Sequence, residues 1–208
     1  SCLEAIAIFE AAEEEDRPGK WHIEDFHIAR ALTHLATAYT AVGDFESALA
    51  AQRVELKRTS NTAGKVEVLL RTGNLEMILG HFRQAEKSYV DAIAVQSELR
   101  RDERDFWLIP HVQLAMLYQL EERFDRAERI LDDGFADIEQ TRAVLAEHNA
   151  GLGMHADDLR VVAFTTMTLF QMKAWTYFGQ GRFDEARRVA REVLAYLETE
   201  RTRTSPTI

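Results

Sequence analysis

The residues that could do chemistry in this chain are few, and their spacing is loose. The sequence holds seven histidines and one cysteine. Two groups of histidines and aspartates could in principle surround a metal ion, but neither has the short ligand spacing or the cysteines of a structural zinc site. We therefore predict polar surface residues, with no metal and no cofactor. The two groups are His22, Asp25 and His27, and His148, His155, Asp157 and Asp158.

No catalytic motif is present in the sequence. The chain lacks an HExxH zinc motif, a nucleophile elbow and a phosphate-binding GxxxxGK loop. The segment Gly151-Leu152-Gly153 could suggest a dinucleotide-binding turn, but Ala156 stands where the third glycine is needed and no strand precedes it. We predict no catalytic residues and a protein that is not an enzyme.

The composition narrows the fold and the classes of partner. Of 208 residues, 46% are hydrophobic and only 10 are glycine and 3 proline, which favours helices over a turn-rich β fold. The excess of 35 acidic over 25 basic residues argues against a nucleic-acid binder, because binding to phosphates requires a concentrated basic face.

The uncharged stretches are too short for a membrane span. The longest run from Ala31 to Gly43 and from Val161 to Met172, whereas a spanning helix needs about 20 apolar residues. The lone Cys2 cannot form an internal disulfide, which fits a reducing compartment. We predict a cytoplasmic protein with no membrane and no nucleic-acid partner.

A short hinge recurs four times along the chain. In each copy a phenylalanine follows a glycine or glutamate by two residues, and an alanine follows the phenylalanine by three. Glycine ends a helix with left-handed backbone at no steric cost, and we expect the phenylalanine to fill the space beside the turn. The copies are Gly43-Asp44-Phe45 with Ala48, Gly80-His81-Phe82 with Ala85, Glu122-Arg123-Phe124 with Ala127, and Gly181-Arg182-Phe183 with Ala186.

Apolar residues at helical spacing precede each hinge, as in Leu32, Leu35, Ala36 and Tyr39 of the first copy. The unit is thus a helix, a tight turn and a second helix. Such a hairpin is too small to bury its own apolar face, so it must stack on its neighbours.

These residues resemble the tetratricopeptide repeat family, whose signature joins a large residue, Leu-Gly or Leu-Ala, Tyr and later alanines. The resemblance implies an all-α, right-handed superhelical solenoid of about four and a half antiparallel hairpins. One solenoid is expected over 1–200, with an orphan second helix at 1–17 and a flexible tail at 201–208. The hairpins are expected at 25–60, 62–101, 105–148 and 156–200. The alanine spacings exceed the ~34 residues of the simplest repeat, and longer repeats of this kind resemble those of kinesin light chains.

The resemblance also implies an interaction surface, because in this family the first helix of each hairpin lines a concave channel. The early positions are polar and suit hydrogen bonds to a peptide, whereas the late ones are soft and aromatic. Trp175 and Phe178 could instead pack against a following repeat or a partner subunit. The expected binding positions are Arg30, Thr33, Thr37, Leu70, Arg71, Asn74, Met77, Gln113, Met116, Gln171, Met172, Trp175 and Phe178.

The sequence therefore predicts a non-catalytic scaffold that binds a protein or peptide partner. Two alternatives stay open. The chain could be the sensor or regulatory region of a larger bacterial signalling or transcription-regulating protein, since it begins in the middle of a repeat, or it could be a homodimerisation module.

Overall fold

The described part of the chain is entirely helical. A computed structural model describes residues 21–98, 109–148 and 156–204, and these contain eight α-helices and no strand. The predicted orphan helix at 1–17 and Gly151-Leu152-Gly153 lie outside the described residues. The helices are α1 (Trp21–Ala41), α2 (Phe45–Arg58), α3 (Thr62–Ile78), α4 (Phe82–Glu98), α5 (Ile109–Leu120), α6 (Phe124–His148), α7 (Ala156–Gly179) and α8 (Phe183–Thr204).

The helices form hairpins, which confirms the expected all-α repeat architecture. The chain divides into two compact units, Ser1–Glu98 and Leu99–Ile208. In unit 1, hairpin 1 (α1 and α2) and hairpin 2 (α3 and α4) meet where α2 packs on α3. In unit 2, hairpin 3 (α5 and α6) and hairpin 4 (α7 and α8) meet where α7 packs on both α5 and α6.

The four hinges share one backbone geometry. Gly43, Gly80 and Gly181 have φ of 80°, 76° and 73°. In hairpin 1 the amide of Gly43 donates to the carbonyl of Thr40 at 3.1 Å, and the amide of Asp44 donates to that of Tyr39 at 2.9 Å. This pair of bonds is the Schellman arrangement, which satisfies carbonyls that the end of a helix leaves unpaired.

The third hinge reaches the same geometry without glycine. Glu122 has φ of 56°, and the amide of Arg123 donates to the carbonyl of Tyr118 at 2.7 Å. A non-glycine residue in this region is strained by roughly 1 to 2 kcal/mol. The predicted role of glycine is therefore confirmed at three hinges, and a glutamate fills it at the fourth.

Each unit has its own buried core. In unit 1, Leu32, Ala36, Ala51 and Val54 form one cluster, and Phe45 packs with Leu79 against a second cluster. In unit 2, a cluster of five aliphatic side chains joins hairpin 3 to hairpin 4. Its members are Ala115, Leu131, Ile138, Val162 and Leu169.

Two details differ from expectation at the end of hairpin 4. Phe183 was expected to fill the space beside its turn, but it is 51% exposed, because no further described helix packs on that side of hairpin 4. Helix α8 continues to Thr204, so it extends beyond the boundary expected at residue 200. Helix α6 ends at His148, as the sequence indicates.

Candidate functional site

Four residues occupy equivalent places on the four first helices. Thr37, Asn74, Met116 and Trp175 each precede the hinge phenylalanine of their own hairpin by eight residues. The hinges fix the register of each hairpin, so these positions are comparable across the chain. We call them the minus-eight positions. They are polar in unit 1, whereas unit 2 has a thioether and an indole there.

In unit 1, the predicted binding residue Arg71 is held by carboxylates of its own unit. Its guanidinium lies 2.6 Å from Oε1 of Glu55 and 2.5 Å from Oε1 of Glu67. The same oxygen of Glu55 accepts a hydrogen bond of 2.7 Å from the hydroxyl of Thr33. Because Glu55 is only 4% exposed, Arg71 and Thr33 compensate a buried negative charge.

Asn74 is also engaged within unit 1. Its Oδ1 accepts a hydrogen bond of 2.7 Å from the hydroxyl of Tyr89. Burial, followed by the negative charge of Glu76, raises the pKa of Tyr89 well above its usual value of 10.0. The phenol thus stays protonated and donates, and the Asn74 amide nitrogen keeps its own donor capacity.

The remaining predicted positions of unit 1 range from exposed to buried. Arg30 and Thr37 are exposed and Met77 is half-buried, but Leu70 lies in the interior. The hydroxyl of Thr37 donates to the carbonyl of Thr33 at 2.8 Å. Among the predicted positions of unit 1, the accessible polar groups include Arg30, Thr37 and the Asn74 amide.

In unit 2, the predicted apolar positions lie open to solvent. Trp175 is 61% exposed, Phe178 57% and Met116 37%. The rings of Trp175 and Phe178 stack with their centroids 5.9 Å apart, and Phe178 meets Phe183 edge-on at 5.5 Å. A contiguous exposed aromatic cluster of this kind marks an interaction surface more often than a single exposed side chain does.

The other predicted positions of unit 2 flank this cluster. Gln171 is exposed and Gln113 is half-buried, while Met172 packs partly against the aliphatic core. Sequence reasoning left Phe183 out of the binding set, because it assigned the hinge phenylalanine to the space beside its turn. The available signal was its place in the last of the four hinges of the sequence pattern.

Gln119 joins the two hairpins of unit 2. Its amide donates to the carbonyl of Met172 at 2.9 Å and to the hydroxyl of Thr176 at 2.8 Å. These bonds connect α5 to α7, and the bond to Thr176 is buried. Gln119 precedes Phe124 by five residues, as Phe178 precedes Phe183. In hairpin 3 this position holds Gln119, which connects to the next hairpin. In hairpin 4 the same position holds Phe178, an exposed aromatic ring.

A cleft of about 410 Å³ lies between α6, α7 and α8, and its charges are paired. Lys173 forms an ion pair with Asp132, and Arg188 lies 4.0 Å from Glu192. Burial lowers the pKa of Lys173, but the hydrogen bond and charge of Asp132 outweigh it, so the pKa lies above 10.5. The amine therefore stays protonated and is unsuited to act as a base or nucleophile.

Among the described residues, no group of three or more His, Cys, Asp or Glu side chains is placed to hold a metal ion. Both histidine groups from the sequence involve side chains that the structure does not describe. Within the same residues, no helix is both long and apolar enough to cross a bilayer.

Comparison with known proteins supports the repeat assignment. The tetratricopeptide repeat family matches residues 29–51 in unit 1 and 172–192 in unit 2. No curated protein matches the chain in sequence. Solved structures with the same fold include nearly identical TPR-like repeats of kinesin light chain type from Podosopora anserina. They align over 96% of this chain and 85% of theirs, with 19% identity and a TM-score of 0.56.

A second structure of the Podosopora anserina repeats aligns over 98% of this chain and 90% of theirs, with 19% identity and a TM-score of 0.55. BtubC from P. vanneervenii aligns over 100% of this chain and 91% of its own, with 16% identity and a TM-score of 0.48. The chain thus carries tetratricopeptide repeat sequence in both of its units and has the all-α fold of tetratricopeptide-like repeat proteins.

Proposed function

We propose that this chain is a non-catalytic interaction module that binds a peptide or partner helix on the first-helix surface of unit 2. Tetratricopeptide repeats generally mediate protein-protein interactions. The observation that carries the proposal is the exposure of Trp175, 61%, at the minus-eight position of α7. A large indole left in water is costly unless a partner covers it.

The chemistry of this surface suits an apolar ligand side chain. Tryptophan is among the residues that most often dominate the energy of an interface. The stack with Phe178 fixes one face of the indole before binding, so little rotamer freedom is lost on association. Met116, at the equivalent position of α5, offers a soft thioether that adapts to different shapes.

The first-helix surface of unit 1, taken by itself, offers polar contacts to a peptide. Arg30 and Thr37 are exposed, and the Asn74 amide can still donate to a peptide carbonyl. Arg71 contributes less, because Glu55 and Glu67 already take up its guanidinium. A protein or peptide partner in the cytoplasm, with no nucleic acid, membrane or cofactor, remains part of the proposal.

A display selection tests this function. A library of random linear peptides is selected on the purified chain, and the affinities of the recovered peptides are measured for Trp175→Ala. Loss of a central aromatic contact lowers affinity by about 30-fold. The matched control is Val90→Ala, which removes an exposed apolar side chain of α4 outside the predicted binding positions and leaves affinity within about twofold. Peptides that bind Trp175→Ala as well as the original chain contradict the proposal.

A further inference from the structure

Hairpin 3 shows how one hairpin of this chain covers the next. The side chains of α6 that face hairpin 4 recur at helical spacing. Together they form an apolar stripe that hairpin 4 covers. Phe124 packs on Gly179, where an added Cβ would clash with the ring. Leu131 and Ile138 share one buried cluster with Val162 and Leu169 of α7.

Two ion pairs border that stripe and join the hairpins. Glu128 binds the guanidinium of Arg182 at 2.7 Å, and Asp132 pairs with Lys173. Both carboxylates belong to hairpin 3 and both cations to hairpin 4. The covered face of hairpin 3 is therefore apolar with an acidic border, and it accepts a helix with a basic border.

Hairpin 4 repeats the apolar stripe but leaves it uncovered by any described helix. With Phe183 aligned to Phe124, the hinge register places Leu194 at the position of Phe135 and Leu197 at that of Ile138. Phe183 is 51% exposed, Leu194 61% and Leu197 39%. We call this stripe of α8, together with the neighbouring Phe178, the end face.

The charges bordering the end face are reversed relative to hairpin 3. In the same register, Arg187 takes the place of Glu128 and Arg191 takes the place of Asp132. Both arginines are exposed, and the side chain of Arg187 is 71% exposed even with Asp184 3.4 Å away. A copy of α7 and the hinge after it, with Lys173 and Arg182, would bring cations against cations here.

We propose that the end face binds an acidic amphipathic helix of a separate partner protein. The partner would pack an apolar stripe on Phe183, Leu194 and Leu197 and place carboxylates against Arg187 and Arg191. In hairpin 4 the two cations that serve this role are Lys173 within α7 and Arg182 in the hinge that follows the helix end at Gly179. The partner segment therefore carries one carboxylate within its helix and a second just beyond the helix end.

Charge also argues against a second copy of the chain as the occupant. In a symmetric dimer each residue meets its own counterpart or a neighbour from the same patch. End face against end face would bring the Arg187 and Arg191 pairs of both copies together, which costs free energy. The inference rests on the proposed interaction function, but it concerns a different set of side chains from Met116 and Trp175.

The probe is a pair of synthetic peptides with the sequence of residues 162–182 of this chain. One has the native sequence, and the other carries Lys173→Glu and Arg182→Glu. Binding of each labelled peptide to the whole chain is measured by fluorescence anisotropy. We expect the acidic peptide to bind about tenfold tighter or better, and the difference to shrink at high salt.

Variants of the chain complete the test. Arg187→Glu with Arg191→Glu should invert the preference, so that the native peptide binds better. Arg83→Glu with Lys87→Glu on α4 is the matched control, since it changes the same charge at the same spacing on exposed residues, and it should leave the preference unchanged. Leu194→Ser should weaken binding of the acidic peptide.

The outcomes separate the inference from the proposed function. Equal binding of the two peptides, no binding of either, or an unchanged preference after the double Arg→Glu substitution overturns the acidic-helix assignment. Self-association of the chain that Leu194→Ser abolishes, measured by sedimentation, also overturns it in favour of a second copy. Peptides from the display selection that depend on Trp175 would still support the proposed function in any of these cases.

Discussion

The two units place different chemistry at equivalent positions of the same hairpin. At the minus-eight positions, unit 1 has Thr37 and Asn74, whereas unit 2 has Met116 and Trp175. Unit 1 turns much of its first-helix polarity inward, where Tyr89 binds Asn74. Unit 2 exposes Trp175 and Phe178 on its first-helix surface. The difference shows that the fold fixes the position of a side chain, while its neighbours decide whether it is available to a partner.

The interiors of the units differ in the same way. Unit 1 buries two carboxylates, Glu55 and Glu76, each 4% exposed. Glu76 accepts a hydrogen bond of 2.7 Å from Ser88 and lies 3.4 Å from Arg53. The cluster that joins the hairpins of unit 2 is aliphatic. Unit 1 thus contains two buried carboxylates that need partners, whereas the buried cluster between the hairpins of unit 2 is apolar.

Removal of the Arg71 guanidinium should produce the largest loss of stability. Arg71→Met keeps the length of the side chain but leaves Glu55 buried with fewer partners, which we expect to cost about 3 kcal/mol. Urea unfolding followed by circular dichroism measures the loss, and hydrogen exchange of α2 and α3 locates it in unit 1. The control is Arg30→Met on exposed α1. A cost below about 0.5 kcal/mol, typical of surface changes, would show that Arg71 has no structural role.

Asn74→Ala should cost less, about 1 to 2 kcal/mol, because it leaves the buried Tyr89 hydroxyl without its acceptor. Thr37→Ala, at the same register position, should be close to neutral. A double-mutant cycle with Tyr89→Phe provides the measurement. If the losses of stability of the two substitutions simply add, Asn74 and Tyr89 are not coupled. That result would contradict a stabilising hydrogen bond between them.

The hinge of hairpin 3 should become more stable when it is made like the others. Glu122→Gly removes the left-handed strain and should raise stability by about 1 kcal/mol. Gly181→Ala, at the equivalent hinge of hairpin 4, should lower it by a similar amount. Thermal unfolding of both variants checks the signs, and a destabilised Glu122→Gly would mean that the glutamate side chain has a compensating role.

The smallest effect should be the pH dependence that His111 gives unit 2. Burial lowers the pKa of His111 from 6.5, and the charges of Asp137 and Asp133 only partly oppose this. The unfolded chain therefore binds a proton first as the pH falls below 6.5, so stability declines with acidity, by at most about 1.4 kcal/mol per pH unit. His111→Gln should flatten the change in melting temperature between pH 7.5 and 5.5. If the melting temperature of His111→Gln falls as steeply with pH as that of the original chain, the pH dependence comes from other groups.

Local patterns in the sequence predicted the hinges and the hairpins. Glu122 was placed correctly despite not being glycine, because Phe124 and Ala127 fixed its register. The buried role of Glu55 was not predicted, since a glutamate on a second helix ordinarily faces water. Its partners Arg71 and Thr33 lie 16 and 22 residues away and meet it only after the helices have packed.

Local sequence patterns also could not predict whether a neighbouring hairpin covers a given residue. Phe45, Phe124 and Phe183 have the same sequence context, but only the first two are covered by a following hairpin in the described residues. Exposure of Phe183 and availability of Trp175 thus depend on neighbours rather than on the motif. For the same reason, the one continuous solenoid expected over 1–200 stays a prediction.

The central claim is that a partner covers Trp175, and the most direct measurement is the accessibility of that indole. In a variant with Trp21→Phe and Trp107→Phe, Trp175 is the single tryptophan. We predict that acrylamide quenches its fluorescence readily in the free chain and several-fold less when a peptide from the display selection is bound. Equal quenching with and without the peptide would place the ligand elsewhere and contradict the account.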